Sequence, residues 1–163
     1  MGSIRSDFKF NSFKVDKFIF NVEPFVELIE DQSVIDPSAW EIDFKIRVPS
    51  YFVKRGVYLG GLDIRLALTI PKEEVPERDK DLELVKLDAG IVGTFSTEER
   101  FADKAIEEKL VKFHIPTLLL PYLRSAVTGF LASAGFGNFI FPLINIHHYA
   151  QESLKDCNIT IIE

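Results

Sequence analysis

The segment from His114 to Ala150, HIPTLLLPYLRSAVTGFLASAGFGNFIFPLINIHHYA, is the most apolar part of the chain and the part most interrupted by proline and glycine. Its first half carries apolar residues at the three- and four-residue spacing of an amphipathic helix. We predict a helix that begins at Thr117 or Leu120 and ends at Gly135, because glycine is the usual residue after a helix. An aromatic loop without helical period follows, and Asn145 is a suitable N-cap for a last helix.

The interruptions in the same segment argue against a membrane span. About 18 or more uninterrupted apolar residues are needed to cross a bilayer, whereas Arg124 and several prolines and glycines break this run at or after Pro116. We therefore expect a core helix followed by a packed loop, with no membrane insertion.

The first half of the chain has the period of two that is typical of half-buried antiparallel strands. Apolar and polar residues alternate most clearly over residues 40–48 and 62–70, and a further strand is predicted over about 83–95. Residues 8–22 alternate in three pieces, and the parity of the apolar positions changes twice between them. Each change of parity indicates an inserted residue, so we predict a bent, bulged strand or a strand pair there. Tyr51-Phe52-Val53 is expected in a connection, and Asp36-Pro37-Ser38 is a turn signal.

These patterns predict an α+β fold: one domain over residues 1–163, with a four-stranded antiparallel sheet and two C-terminal helices on one of its faces. Hydrophobic residues make up 47% of the chain and 15 residues are phenylalanine, which indicates an aromatic core or an aromatic surface kept for a partner. The net charge of −6 argues against nucleic acid as a partner, since phosphate binding needs a basic surface.

No catalytic or metal-binding constellation is visible in the sequence. The three histidines and the single Cys157 do not have the spacing of a metal site, and Cys157 has no obvious base beside it. We expect no enzyme activity and no cofactor. The opening MGSIRSDFKF lacks the apolar stretch of a signal peptide, and one unpaired cysteine suits a reducing compartment, so we expect a cytoplasmic protein.

The order of the residues that interrupt the apolar segment resembles that in the C-terminal part of the SecB family of protein-export chaperones. The shared features are a proline, a short apolar run, a Pro-Tyr-x-Arg pair, a helix, a glycine-containing loop, a second proline and an asparagine before a last helix. The residues that carry the resemblance are Pro116, Leu118 to Leu120, Pro121, Tyr122, Arg124, Gly135, Pro142 and Asn145.

The resemblance implies a homotetramer, a dimer of dimers, that holds unfolded polypeptide clients in apolar grooves without ATP. It places client binding near the junction of sheet and helices, although the same side chains could simply form the core. The client-binding residues implied are Trp40, Ile42, Phe44, Ile46, Tyr51, Phe52, Val53, Leu118, Phe139 and Phe141.

The resemblance also implies docking of the translocase motor SecA through acidic residues on the open face of the sheet. Asp88 matches one acidic position by its distance from Gly93 and Phe95, but the first strand offers Lys17 or Asn21 where acids are expected. The chain also ends in NITIIE, whereas the family ends in a polar tail. Three alternatives remain open: an export chaperone for preproteins, a chaperone dedicated to the antitoxin of a toxin–antitoxin system, and an enzyme or small-ligand-binding protein on the same fold.

A stripe of small residues on the predicted helix suggests how subunits assemble. Ser125, Gly129 and Ser133 are four residues apart and therefore lie on one side of the helix. Glycine costs about 1 kcal/mol relative to alanine inside a helix, so Gly129 indicates a place where a larger side chain does not fit. We predict that this stripe contacts a second helix in an oligomer interface; the alternative is that Gly129 accommodates a bulky residue of its own subunit.

Overall fold

The protein folds as a sheet whose one face is covered by helices, in a computed structural model that describes residues 7–29 and 39–163. The turn predicted at Asp36-Pro37-Ser38 lies outside the described residues. The strands are β1 (Lys9–Val22), β2 (Trp40–Ile46), β3 (Ser50–Phe52), β4 (Val57–Ile70), β5 (Leu82–Ser96) and β6 (Thr160–Ile162). Two short 3-10 helices, Pro24–Leu28 and Lys72–Glu74, follow β1 and β4.

The strand order is β1-β5-β4, after which β2 and β3 share the remaining edge of β4. β2 pairs with residues 62–68 of β4 and β3 pairs with residues 57–59, both antiparallel. The α+β class and the sheet with C-terminal helices are confirmed, but the strand count was wrong. The strand predicted over residues 40–48 ends at Ile46, and β3 begins after a break at residues 47–49, where Pro49 has no N–H to continue a ladder. β6 adds a parallel partner to β3.

β3 corrects the prediction that Tyr51-Phe52-Val53 lies in a connection. Tyr51 is buried on the helix side, with its ring 4.6 Å from that of Tyr58, whereas Phe52 points to the opposite face. Only Val53 belongs to the turn that follows. A strand with apolar residues on both faces has no alternation, which is why the sequence did not reveal it.

β1 is a single long strand with the two bulges that its changes of parity predict. Its register against β5 shifts between Phe10 and Ser12 and again between Val15 and Lys17. Each inserted residue returns the phenylalanines to the helix side of the sheet, since one extra residue exchanges the two faces of a strand.

The main helix is longer than predicted. Helix α1 (Lys104–Glu108), a π-helical turn (Lys109–His114) and α2 (Ile115–Ser133) form one helical segment, so a start at Thr117 or Leu120 was wrong. The segment is capped by Asp103, whose carboxylate accepts the N–H of Ala105 at 2.9 Å. The wide π turn comes directly before Pro116, where the proline ring would otherwise crowd the preceding turn.

The end of α2 is confirmed at Gly135, which has φ of +94°. The Phe136 N–H donates to the Leu131 carbonyl at 2.7 Å and the Gly135 N–H donates to the Ala132 carbonyl at 3.3 Å. These two bonds form a Schellman motif, which satisfies the last carbonyls of a helix. Helix α3 (Ile146–Leu154) begins at the predicted cap, where the Asn145 side chain accepts the N–H of His148 at 3.0 Å.

The core lies between the sheet and the helices. The sheet-facing residues of α2 are buried: Ile115, Leu119, Leu120, Leu123, Val127 and Leu131. Tyr122 and Phe130 lie at the rim of the sheet and contact phenylalanines of β1. The segment Lys104–Ser133 is long and apolar enough, by length and composition alone, to cross a membrane. Its buried side packs on the sheet, as a helix of a protein core does.

Candidate functional site

The candidate site is an aromatic groove on the helix side of β2. Trp40 and Phe44 lie on this side because they pair with Leu68 and Ile64, which are buried under the helices. Residues 136–144, which we call the cover loop, cross the groove between α2 and α3. Phe139 of this loop lies 5.1 Å from the Trp40 ring, so the groove is lined and closed by aromatic side chains.

The cover loop is attached to the groove mainly by side chains. Phe141 packs edge-on against Phe44 at 6.0 Å, and Phe136 packs against Trp40 at the same distance. Within the described part of the chain, no backbone–backbone hydrogen bond is made by residues 140–144. A segment held without a backbone ladder separates at lower cost than a strand or helix does.

Two apolar side chains of the cover loop point into solvent. Ile140 is 72% exposed and Leu143 is 94% exposed, while Phe139 and Phe141 are buried on either side of Ile140. Single exposed apolar residues are ordinary, but two in one loop over an aromatic groove form a surface that an apolar partner can contact.

Two buried donors beside the cover loop have no acceptor among the described residues: Trp40 Nε1 and Arg124 Nε. The Arg124 guanidinium also lies over the Phe141 ring, 5.3 Å from its centre. A buried donor without a partner costs roughly 1–3 kcal/mol. Carbonyl oxygens of a polypeptide entering the groove are suitable acceptors for both groups.

The structure divides the predicted client-binding residues into separate regions. Trp40, Ile42 and Phe44 lie on the helix side of β2, and Phe139 and Phe141 of the cover loop pack against Trp40 and Phe44. Of the rest, Ile46 and Tyr51 are buried in the core, Phe52 lies on the opposite face, and Val53 and Leu118 are exposed elsewhere.

Sequence reasoning missed the outward-facing Ile140 and Leu143 and the groove-side Phe136 and Arg124. The segment 136–144 has no period, so the sequence offers no signal for which of its side chains point inward.

The open face of the sheet carries Asp88, the residue predicted to dock the translocase motor. Its carboxylate accepts a hydrogen bond from Arg65 Nε at 2.8 Å. This bond holds the pKa of Asp88 below its usual range, with a smaller contribution from the positive charge of Lys17. Lys17 pairs with Gly90 and Ile19 pairs with Asp88, and the acid that β1 does place on this face, Asp16, is bonded to Arg47. Motor docking stays a prediction.

A buried polar cluster joins α1 to the sheet. Tyr58 donates to Glu107 at 2.9 Å, and Arg100 donates to the same carboxylate at 3.1 and 3.2 Å. Burial and then the Glu107 hydrogen bond raise the pKa of Tyr58 well above its usual value. The cluster satisfies its own polar groups, so it holds the helix in place. In residues 7–29 and 39–163, no group of three or more His, Cys, Asp or Glu side chains could hold a metal ion.

The predicted assembly stripe, Ser125, Gly129 and Ser133, is exposed along α2. Among the described residues, no atom outside the helix's own nearby backbone lies within 4 Å of a Cβ atom added at Gly129. The alternative that Gly129 accommodates a bulky residue of its own subunit is therefore wrong, and the interface itself stays a prediction.

Comparison with known proteins identifies the fold. No family model and no curated protein matches the chain. Among solved structures, it is similar to the Mycobacterium tuberculosis Rv1957 SecB-like chaperone in complex with a ChAD peptide from the Rv1956 HigA1 antitoxin, with a TM-score of 0.58 and 9% identity over 85% of this chain and 91% of that one. A Streptococcus agalactiae protein of unknown function matches with a TM-score of 0.42 and 7% identity, over 84% and 97% of the two chains. The chain therefore has a SecB-like fold.

Proposed function

We propose that this protein is an ATP-independent chaperone that binds extended apolar segments of unfolded polypeptides in the groove beneath the cover loop, with the exposed Ile140 and Leu143 of that loop as part of the contact surface. The observation that carries the proposal is that the cover loop closes the aromatic groove with side chains and makes no backbone ladder over residues 140–144. A client segment can therefore replace Phe139 and Phe141 with its own apolar side chains. The SecB-like fold supports this function.

The groove suits clients of many sequences. Apolar contact has no directional requirement, and aromatic side chains supply large contact areas. The unpartnered Trp40 Nε1 and Arg124 Nε add polar contacts to the backbone of the client, which every polypeptide has. The combination favours binding by apolar content rather than by one motif.

The test removes the exposed apolar side chains without touching the core. The double variant Ile140→Ser, Leu143→Ser should keep its melting temperature and lose affinity for a reduced, alkylated unfolded protein by at least about tenfold, since burying each side chain is worth roughly 1.5–3 kcal/mol. Ile19→Ser is the matched control, because Ile19 is 51% exposed on the opposite face of the sheet. Equal capture by the double variant and the wild type would contradict the proposal.

A second candidate, a chaperone dedicated to one client such as an antitoxin, is favoured by the pairing of Asp88 with Arg65. An export role needs a motor-docking surface, and here the candidate acid is already bonded within the chain. The SecB-like chaperone of similar fold was solved with an antitoxin peptide. Calorimetric titration with the translocase motor distinguishes the roles: binding by wild type, lost in Asp88→Asn, would support export.

We infer a homotetramer as the working assembly, with the small-residue stripe of α2 as one of its contacts. Two grooves on neighbouring subunits would then hold one client at several points, and linked sites of this kind increase the overall affinity without new contacts. Light scattering of the wild type is the direct measurement, and a monomer at micromolar concentration would refute the assembly.

A further inference from the structure

The edge of the sheet at β3 is occupied by the last strand of the chain. β6 runs parallel to β3, with Ser50, Tyr51 and Phe52 opposite Thr160, Ile161 and Ile162. The Thr160 N–H donates to the Pro49 carbonyl and the Val53 N–H donates to the Ile162 carbonyl, both at 2.9 Å. An extended apolar tripeptide is thus bound to this edge by its backbone.

β6 is held weakly. It has three residues, all exposed, and Ile161 and Ile162 keep 42% and 38% of their surface in solvent. Parallel pairing is slightly less stable per residue than antiparallel pairing, and a hydrogen bond contributes only about 0.5–1.5 kcal/mol net. The strand can therefore leave the edge while the rest of the fold stays intact, as short peripheral elements do.

The edge also offers a place for a side chain. Ile162 lies opposite Phe52, so both side chains are on the face away from the helices. There Phe52, Val57 and Leu59 line an open depression of about 700 Å³, with Arg55 and Thr94 at its border. Neighbouring side chains on one face of a sheet contact each other, so a residue at the position of Ile162 adds to this apolar surface.

We propose that the β3 edge is a second polypeptide-binding site, at which an extended client segment adds as a strand and displaces β6. The bound segment pairs its backbone with Pro49 and Val53 and places a β-branched or aromatic side chain beside Phe52. This inference rests on the proposed chaperone function but uses a different surface from the aromatic groove. An unpaired edge strand is a ready template for another chain, and strand addition is a recurring mode of peptide recognition.

Occupation of the β3 edge by β6 sets the apparent affinity of this edge for a client segment. When a site is open for only a fraction of the time, the apparent affinity falls by that fraction. If β6 occupies the edge about nine-tenths of the time, its removal increases the apparent affinity about tenfold. β6 then excludes short or weakly apolar segments and admits clients that pair better than Thr160–Ile162.

The experiment uses a fluorescein-labelled peptide of sequence NITIIE, which copies residues 158–163, and measures its binding by fluorescence anisotropy. We compare the wild type with a variant that ends after Ile159 and with full-length Thr160→Pro, which lacks the N–H that bonds to Pro49. Both variants should bind the peptide about tenfold more tightly than the wild type does. The control peptide NIPIIE, whose proline replaces the threonine that donates to Pro49, should bind none of them.

Val53→Pro provides the matched test on the other side of the edge. Val53 follows Phe52 in a turn closed by the Arg55 N–H on the Phe52 carbonyl at 3.2 Å, a position that favours proline. In the variant that ends after Ile159, adding Val53→Pro should abolish the gain in affinity for the NITIIE peptide. Adding Val53→Ala should leave that gain unchanged.

Capture of a reduced, alkylated unfolded protein separates the two proposals. No gain in peptide binding by either β6 variant, with capture intact, overturns the edge site and leaves the groove. A gain in peptide binding without any gain in capture also overturns it, since clients then do not use the edge. Absence of capture by the wild type overturns the chaperone function itself.

Discussion

Arg47 and Asp16 form a two-bond ion pair across the open face of the sheet, with Nη1–Oδ2 and Nη2–Oδ1 distances of 2.6 and 2.8 Å. Asp16 is the extra residue of the second β1 bulge, and Arg47 follows the end of β2. The same guanidinium bonds to Asp63 of β4 at 2.7 and 3.1 Å. Gly90 of β5 lies beneath this cluster, where any side chain would collide with it. The bulge therefore places a carboxylate that ties β1 to the break between β2 and β3.

The Arg47 pair predicts a pH dependence of stability. The Arg47 hydrogen bond holds the pKa of Asp16 below its usual value, so between the folded and unfolded pKa values the native state binds fewer protons. The contribution of the Asp16 carboxylate to stability is then fully present above the ordinary aspartate pKa of about 3.9. It is lost as the pH falls through the pKa of Asp16 in the folded state.

Asp16→Asn should lower the free energy of unfolding at neutral pH by about 1 kcal/mol, a modest value because the pair is partly exposed. The substitution should also make the free energy of unfolding fall less steeply as the pH is lowered. Urea unfolding at several pH values measures both effects. Asp79→Asn, in the exposed loop after β4, is the matched control and should leave the profile unchanged. Identical acid profiles of wild type and Asp16→Asn would contradict this prediction.

Gly93 and Leu119 mark one of the close approaches of α2 to the sheet. A side chain at Gly93 would lie 2.7 Å from Leu119 Cδ2 and 3.0 Å from Phe95 Cε2, and both neighbours are fully buried. Gly93→Ala should therefore destabilise the protein by about 1–3 kcal/mol, as overpacking of a core does. Gly137→Ala is the control, because nothing lies within 4 Å of the added methyl group. Equal urea midpoints for the two variants would show that the helix moves away at no cost.

The sequence predicted the long elements because each carries its own period. The alternation of residues 40–46 and 62–70 predicted β2 and β4, and the parity changes of residues 8–22 predicted the bulges that place Asp16. Gly135 and Asn145 marked helix ends through local hydrogen bonds that depend on nearby residues alone.

The remaining features depend on contacts between distant residues. β3 and β6 have three residues each, too few for a period, and their pairing joins positions about 110 residues apart. The shape of the groove decides which side chains of the cover loop point inward and which point into solvent. Residues 140 and 143, the strongest candidates for client contact, therefore needed the structure to be found.

The single cysteine should be dispensable. Cys157 is half-buried beside the core, and its Sγ lies 4.0 Å from the Ser153 carbonyl. Cys157→Ser should change the free energy of unfolding by less than about 1 kcal/mol and leave oligomer size and client capture unaltered. Light scattering with and without reductant checks this, and loss of the oligomer in either case would indicate a disulfide between subunits.

The exposed face of α2 gives the last prediction, which separates folding from assembly. Gly129 has open space above it, so Gly129→Ala should stabilise the helix by up to about 1 kcal/mol. Gly129→Leu should also fold, because the Cβ position is open and this face of the helix is exposed. If Ser125, Gly129 and Ser133 contact a second helix, leucine at this position holds the two helices apart, since close approach requires small residues.

Light scattering of Gly129→Leu should therefore show smaller, folded species with the far-ultraviolet circular dichroism of the wild type. Gln151→Leu, which adds the same side chain to the exposed surface of α3, is the control and should keep the size of the wild type. If Gly129→Leu keeps that size as well, the small-residue stripe is not the subunit contact. Dissociation in both variants would trace the effect to added surface hydrophobicity, whereas dissociation in Gly129→Leu alone locates the interface on α2.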